Sequence, residues 1–127
     1  MNFLKATMQN AISGMDLQAK RIDLTSENIS NADTPGYQRK LLIPKVLDAS
    51  GSRFQETLVA LDPTPGETEF DPTHPLADTK GYVTNSNVTL VVEMADMRDA
   101  NRLYEANLNT FQQAKNMYRS LLDALRR

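Results

Sequence analysis

The side chains able to do chemistry are few, and their placement argues against it. His74 is the single histidine, and the sequence holds no cysteine. Zero Cys excludes disulfides, thiolate nucleophiles and every cysteine-bearing zinc site. His74 stands in Asp71-Pro72-Thr73-His74-Pro75, so Asp71 and Asp78 are the acids that could join it around a metal. Prolines on both sides make it a loop residue, expected to be solvated rather than ligating. Glu67/Glu69 and Asp96/Asp99 have the types needed for general acid–base work. One pair falls in a proline-rich stretch and the other on the polar face of a helical pattern, where solubilising charge is the expected role. No Ser–His–acid set forms around a histidine so placed, and there is no P-loop and no GxGxxG. No catalytic, metal-binding or cofactor-binding residue is assigned, and no cofactor is expected. Asn28-Ile29-Ser30 and Asn87-Val88-Thr89 match the glycosylation sequon by composition only.

The 14 basic and 16 acidic side chains leave a net charge of −2. There is no cationic surplus to release counterions from phosphates, so nucleic acid is not expected as a partner. No apolar run is long enough to span a bilayer. The opening MNFLKATMQNAISGMDLQ meets a polar residue every few positions and lacks the pattern of a cleaved secretory signal. A chain of this kind that leaves the cytoplasm is expected to use another route.

The elements that must position these residues follow from the punctuation. Five of the six prolines (Pro44, Pro63, Pro65, Pro72 and Pro75) lie between Tyr37 and Ser86, and no Pro or Gly follows Asn87. That distribution predicts helix, irregular middle, helix. In the first helix Met1, Met8, Met15, Ile22 and Ile29 repeat every seven residues, with Leu4 and Ala11 between them before Gln18 and Thr25 dilute the seam. It should end near Ser30–Asn31. Thr34-Pro35-Gly36-Tyr37 then has Pro and Gly at the central positions of a type II turn, a candidate hinge. The Tyr37 ring is expected to pack on a helix, with no role for its hydroxyl. The last helix is expected over Asn87–Arg127, capped by Ser86 or Asn87. Its stripe is Leu90, Met94, Met97, Tyr104, Leu108, Phe111, Tyr118, Leu122 and Leu125. Between the helices, Leu41–Leu47 and Phe54–Leu61 predict a hairpin, and Asp62–Pro75 an irregular, partly polyproline-like strap.

A helix over Asn87–Arg127 would be roughly 60 Å long, against a diameter near 35 Å for a compact globule of this size. Two helices side by side bury only one stripe each, so neighbouring copies are expected to complete the core. Met8, Met15, Ile22, Ile29, Met94, Met97, Tyr104, Leu108, Phe111, Tyr118, Leu122 and Leu125 are the candidate subunit-packing residues. A soluble helical adaptor or export chaperone, clasping a partner's helix with the same heptads, is the competing class.

Two blocks carry a resemblance. Ser26-Glu27-Asn28-Ile29-Ser30-Asn31-Ala32-Asp33-Thr34-Pro35-Gly36-Tyr37 resembles the S-x-N-I-A-N-x-x-T-P-G-Y signature of the bacterial flagellar axial proteins, with Ser30 where Ala is more frequent and Asp33 where Asn is. Asp71-Pro72-Thr73-His74-Pro75-Leu76-Ala77-Asp78 and Gly81-Tyr82-Val83 resemble the segment approaching the last helix in the short proximal-rod members. Glu93-Met94, Asp96-Met97, Ala100, Arg102 and Tyr104-Glu105-Ala106-Asn107 continue the likeness. The resemblance implies a mainly α fold. Antiparallel helices from 1–36 and 87–127 would form a coiled-coil inner domain, with 37–86 as an extended insert. It also implies helical self-assembly into the rod, the drive shaft and export channel between the membrane ring and the distal rod. The implied partners are other rod subunits, the rod–ring adaptor, the MS ring and the flagellar type III export apparatus. Its implied place is the periplasm-spanning rod of the basal body, reached without a cleaved signal.

Overall fold

The structure is a computed structural model and describes residues 2–46 and 55–126. Its elements run α1 (Asn2–Ser30), β1 (Lys40–Val46), β2 (Gln55–Leu61), β3 (Thr68–Phe70), β4 (Tyr82–Thr84) and α2 (Leu90–Leu125). The fold is mainly helical, with a small insert of antiparallel strands. By contact it divides into two compact units, Met1–Ile22 with Arg98–Arg127, and Asp23–Met97.

The first unit is built from the start of α1 and most of α2. Lys5 Nζ lies 5.9 Å from the centre of the Tyr118 ring. A Cβ built on Gly14 would lie 2.7 Å from Asn107 Nδ2, and the Arg21 guanidinium reaches Asp99 Oδ2 at 3.4 Å. Positions 5, 14 and 21 thus meet 118, 107 and 99, so the two segments run antiparallel. Close approach explains which residues are buried. Leu4, Ala11 and Gln18 are the buried positions of α1 here, and Ala100 and Ala114 those of α2. Small side chains let two backbones come near, and a residue larger than Gly14 would strike Asn107.

In α1 the buried line runs through Leu4, Ala11, Gln18 and Thr25, the intervening positions of the seam read from the sequence, with the seven-residue stripe beside it; in α2 the stripe lies beside the buried line. Met8, Met15, Ile22 and Ile29 are half-buried. In α2 the line Glu93, Ala100, Asn107, Ala114 takes the centre. Met97, Tyr104, Phe111, Tyr118 and Leu122 are half-buried beside it, and Met94, Leu108 and Leu125 are exposed. A stripe chosen by side-chain size is displaced by one residue when the tightest contact needs the smallest side chains.

In the second unit β1 and β2 form the expected hairpin, in the register Lys40↔Leu61 to Val46↔Gln55. The stretch expected as connection, 48–52, lies outside the described residues. Thr68–Phe70 pairs with Tyr82–Thr84, so strand occupies part of the segment expected as strap. Phe70 meets Tyr82 edge-on, with ring centres 5.3 Å apart, and Val83 is buried. Three-residue strands are too short to show an alternating pattern, which is why the sequence did not reveal them. The last helix begins at Leu90, three residues later than expected, with its first bond from Glu93 N to Thr89 O. Ser86 Oγ donates to Ala32 O and the Asn87 side chain bonds across the insert.

Candidate functional site

Among the described residues, the two most deeply buried large side chains are polar, Asn28 near the end of α1 and Glu93 in the first turn of α2, each 1% exposed. Both belong to the second unit. Around them the end of α1, the turn that follows it, β1 and the start of α2 are tied together.

Asn28 uses its full hydrogen-bonding capacity. Its Oδ1 accepts from Tyr37 Oη at 2.9 Å and from Lys40 N at 2.9 Å. Its Nδ2 donates to Lys40 O at 3.0 Å and to Glu93 Oε2 at 3.3 Å. One side chain thereby satisfies both backbone groups of Lys40, as a neighbouring strand would. Glu93 is neutralised by Arg39, whose Nε bonds Oε1, while Arg39 Nη2 donates to Asp96 Oδ2 at 2.9 Å. Asp62 Oδ2 stands 3.8 Å from Nη1. Burial works against the Arg39 charge. The hydrogen bond and charge of Glu93, then Asp96 and Asp62, outweigh it and raise the guanidinium's pKa above its ordinary value. On the far side, Asn87 Oδ1 accepts from Arg39 N at 2.6 Å, and its Nδ2 donates to the carbonyls of Asp62 and Thr64 at 3.0 and 2.8 Å. Lys40 Nζ pairs with Glu27, whose hydrogen bond raises the ammonium's pKa.

The turn between α1 and β1 has the geometry its sequence called for. Tyr37 N donates to Thr34 O at 3.2 Å, and Gly36 takes φ +75°. Gly36 N also donates to Thr84 O at 2.9 Å, which ties the turn to β4. The expectation for Tyr37 is corrected. Its hydroxyl is one of two donors to Asn28 Oδ1, and burial, then the Glu27 and Glu93 charges, raise its pKa. Tyr37→Phe is accordingly expected to cost about 1 kcal/mol, one hydrogen bond to a buried amide. A urea titration showing no change in midpoint would contradict this.

Neither sequon asparagine presents a free amide nitrogen, since the Asn28 and Asn87 amides both donate inside the unit. His74 is half-buried rather than simply solvated, and its Nδ1 accepts from Leu76 N at 3.0 Å. Asp71 Oδ1 accepts from Thr73 N, and Asp78 Oδ1 from Lys80 N and Tyr82 N. The three side chains weighed as metal ligands each hold a backbone turn of their own loop. A cleft of about 530 Å³ beside the junction is lined by Ala32–Asp33, Thr64–Glu67 and Asn85–Leu90, a mixed surface with no convergent set of titratable groups.

Asp62 supplies a pH dependence. Its carboxylate accepts from Thr64 N at 2.9 Å. That bond, the Thr64 hydroxyl and the Arg39 charge lower its pKa below the ordinary 3.8. With the folded value depressed, the stabilisation is complete above pH 3.8 and is lost only as pH falls through the lower native value. An NMR titration is expected to place the Asp62 midpoint below 3.8, and a midpoint at or above it would contradict the geometry.

Arg39 was not singled out from sequence, and Asn28, Asn87 and Glu93 were noted there only as sequon, cap or motif positions, not as partners in one network. The available signal was polarity on a buried line. Glu93 precedes Ala100 by one heptad, and Asn28 follows Thr25 by one turn.

Such a molecule has its polar capacity spent on joining helix ends to an insert, and leaves large apolar side chains on its helices. That is the construction of an assembly subunit, and the comparisons agree. The family model for flagella basal body rod protein matches residues 8–38. The model for the C-terminal region of the flagellar basal body rod FlgEFG proteins matches residues 79–124. Fold and matches together define a flagellar axial rod protein. The flagellar basal-body rod protein FlgC of Agrobacterium fabrum is 40% identical over 136 aligned positions, covering 99% of this chain and 98% of its own. Those of Borreliella burgdorferi and Escherichia coli O157:H7 are 34% and 32% identical, covering 96% and 83% of this chain and 97% and 85% of theirs. The chain belongs to the FlgC family, and is a structural subunit of the flagellar basal-body rod rather than an enzyme.

Proposed function

We propose that the chain polymerises helically as a subunit of the proximal rod, the drive shaft and export channel between the membrane ring and the distal rod. Residues 1–36 and 87–127 form the inner domain, an antiparallel coiled coil facing the channel. Residues 37–86 form the insert, whose proline-rich strap reaches outward. Its partners are further copies, other rod subunits, the rod–ring adaptor, the MS ring and the type III export apparatus. The last takes it to the periplasm-spanning rod without a cleaved signal.

The observation that carries this reading is the pair of apolar lines on α2. Met94 and Leu108 lie about 100° to one side of the line Glu93–Ala100–Asn107–Ala114, and Leu103 and Met117 about 60° to the other. Met94 and Met117 are 61% and 58% exposed. A helix with an apolar line on each side of its covered seam has room for two more helices, which a helical array supplies. The lack of cysteine also leaves no cross-link to oppose unfolding during export. The test is to purify basal bodies from cells with and without the gene. Rings without rods are expected in its absence, and the subunit within the rod fraction in its presence. Complete rods in the deletion strain would end the proposal.

Thr34, Pro35, Gly36 and Tyr37 act as the hinge that turns the chain from inner helix to insert. Gly36 has open space around its missing side chain, so a substitution there is opposed by the backbone angle alone. Gly36→Val is expected to introduce strain of about 1–3 kcal/mol, repeated in every subunit, and to block rod growth while secretion persists. Gly36→Asn should be milder, since Asn tolerates a left-handed backbone. Full assembly with Gly36→Val, scored beside the secreted fraction, would show that the turn is not under backbone constraint.

A further inference from the structure

Arg39 and Lys40 have their acids beside them at the junction, but two groups of charge elsewhere are unmatched. Residues 63–82 carry Glu67, Glu69, Asp71 and Asp78 against Lys80 alone. They fold as one loop around β3 and β4, with Asn85 N donating to Glu67 O and Asp71 N to Gly81 O on either side of the paired strands. Glu67, Glu69 and Asp71 alternate along that line and leave it on one side, and Glu67, Glu69 and Asp78 are exposed. The last turns of α2 have the opposite sign. Between Asn107 and Arg126 the bases Lys115, Arg119 and Arg126, all exposed, stand against Asp123 alone. Lys115 is one heptad beyond Leu108 on the same flank, and Arg119 follows it by one turn. The start of α1, antiparallel to this stretch, adds Lys5 and no acid before Asp16. Among the described residues, no ion pair involves any of the four loop acids or the three α2 bases.

Surfaces that recognise each other place opposite charges face to face, and this chain carries both members of such a pair. We infer that the acidic loop of one copy docks on the basic end of α2 of another copy in the rod. This rests on the rod reading above. The two surfaces differ, so the contact is heterologous. Each copy offers its loop to one neighbour and its helix end to another, and the row stays open, as helical growth requires. Apolar area accompanies the charge: Phe70 and Leu76 on the loop are 63% and 64% exposed, and Leu125 at the helix end is 75% exposed. The charges set register and partner choice, while the apolar contact supplies most of the affinity.

The test uses two full-length variants. Glu67→Lys with Glu69→Lys reverses the loop, and Lys115→Glu with Arg119→Glu reverses the helix end. All four positions are exposed, so each purified variant should keep the far-UV circular dichroism of the native chain. Produced alone, each variant sets like charges against like, and its incorporation into purified basal-body rods should fall about tenfold or more. Produced together in one cell, the two should recover most of that loss. The basic loop of the first then fits the acidic helix end of the second, and the return contact is the native one. Full incorporation of either variant alone overturns the proposal. So does a mixture no better than its members, because mixing repairs neither a contact within one chain nor a contact with a different component. Absence of the native chain from rods would instead defeat the rod reading.

Discussion

Glu93→Ala is expected to destabilise the second unit by about 3 kcal/mol and to abolish incorporation into rods. The carboxylate is 1% exposed and faces both Arg39 and Asn28. Removing one partner of a buried ion pair leaves the other uncompensated, and such losses are about 3–5 kcal/mol. The lower end applies because Arg39 keeps Asp96 at 2.9 Å and Asp62 at 3.8 Å. The two halves of the pair should not be independent. Arg39→Met with Glu93→Leu replaces both charges by apolar bulk and should recover part of the loss, as buried pairs exchanged for well-packed side chains often do. Urea midpoints for the two single variants and the double give the coupling energy directly. Strictly additive losses would mean that the pair does not act as a unit.

Much of this architecture was legible in the sequence. The absence of Pro and Gly after Asn87, the Thr34–Tyr37 turn and the Leu41–Leu61 hairpin each rest on local backbone chemistry, and local signals survive folding. What could not be read depends on side chains that meet across distance. Size and hydrophobicity pointed to Met94 and Leu108. The closest helix contact instead selected Ala100 and Ala114, because approach distance is a property of two helices together. Tyr37 was legible as a turn residue but not as a donor, since its acceptor lies in the preceding helix. Asn28 and Glu93 look like ordinary surface residues until Arg39 and Lys40 are brought over them. The sequence motif around Asn28 has a physical content after all: a short carboxamide gives one donor and one acceptor to Lys40 and still has one of each for Glu93 and Tyr37.

The seam and the exposed stripe should fail in different ways, and the pair Ala100→Leu and Leu108→Asp separates them. Ala100 is 0% exposed on the covered line of α2. A Leu there needs space that the close approach denies, and overpacking of this kind costs about 1–3 kcal/mol. The isolated chain should therefore lose helix content with Ala100→Leu, as far-UV circular dichroism would record. Leu108 is 36% exposed, beside the covered line of α2 rather than on it. An Asp at that position remains hydrated in the free chain, so helix content should change little. In an assembly the same side chain meets a neighbour, where an unpaired charge costs several kcal/mol, and incorporation should be lost. The informative result is the dissociation of the two readouts. If Leu108→Asp reduced helix content as strongly as Ala100→Leu, the flank would belong to the fold of one chain. If it incorporated normally, the flank would face solvent in the rod. Either outcome would move the subunit contact to the opposite line of Leu103 and Met117, where Met117→Asp is the next variant to make.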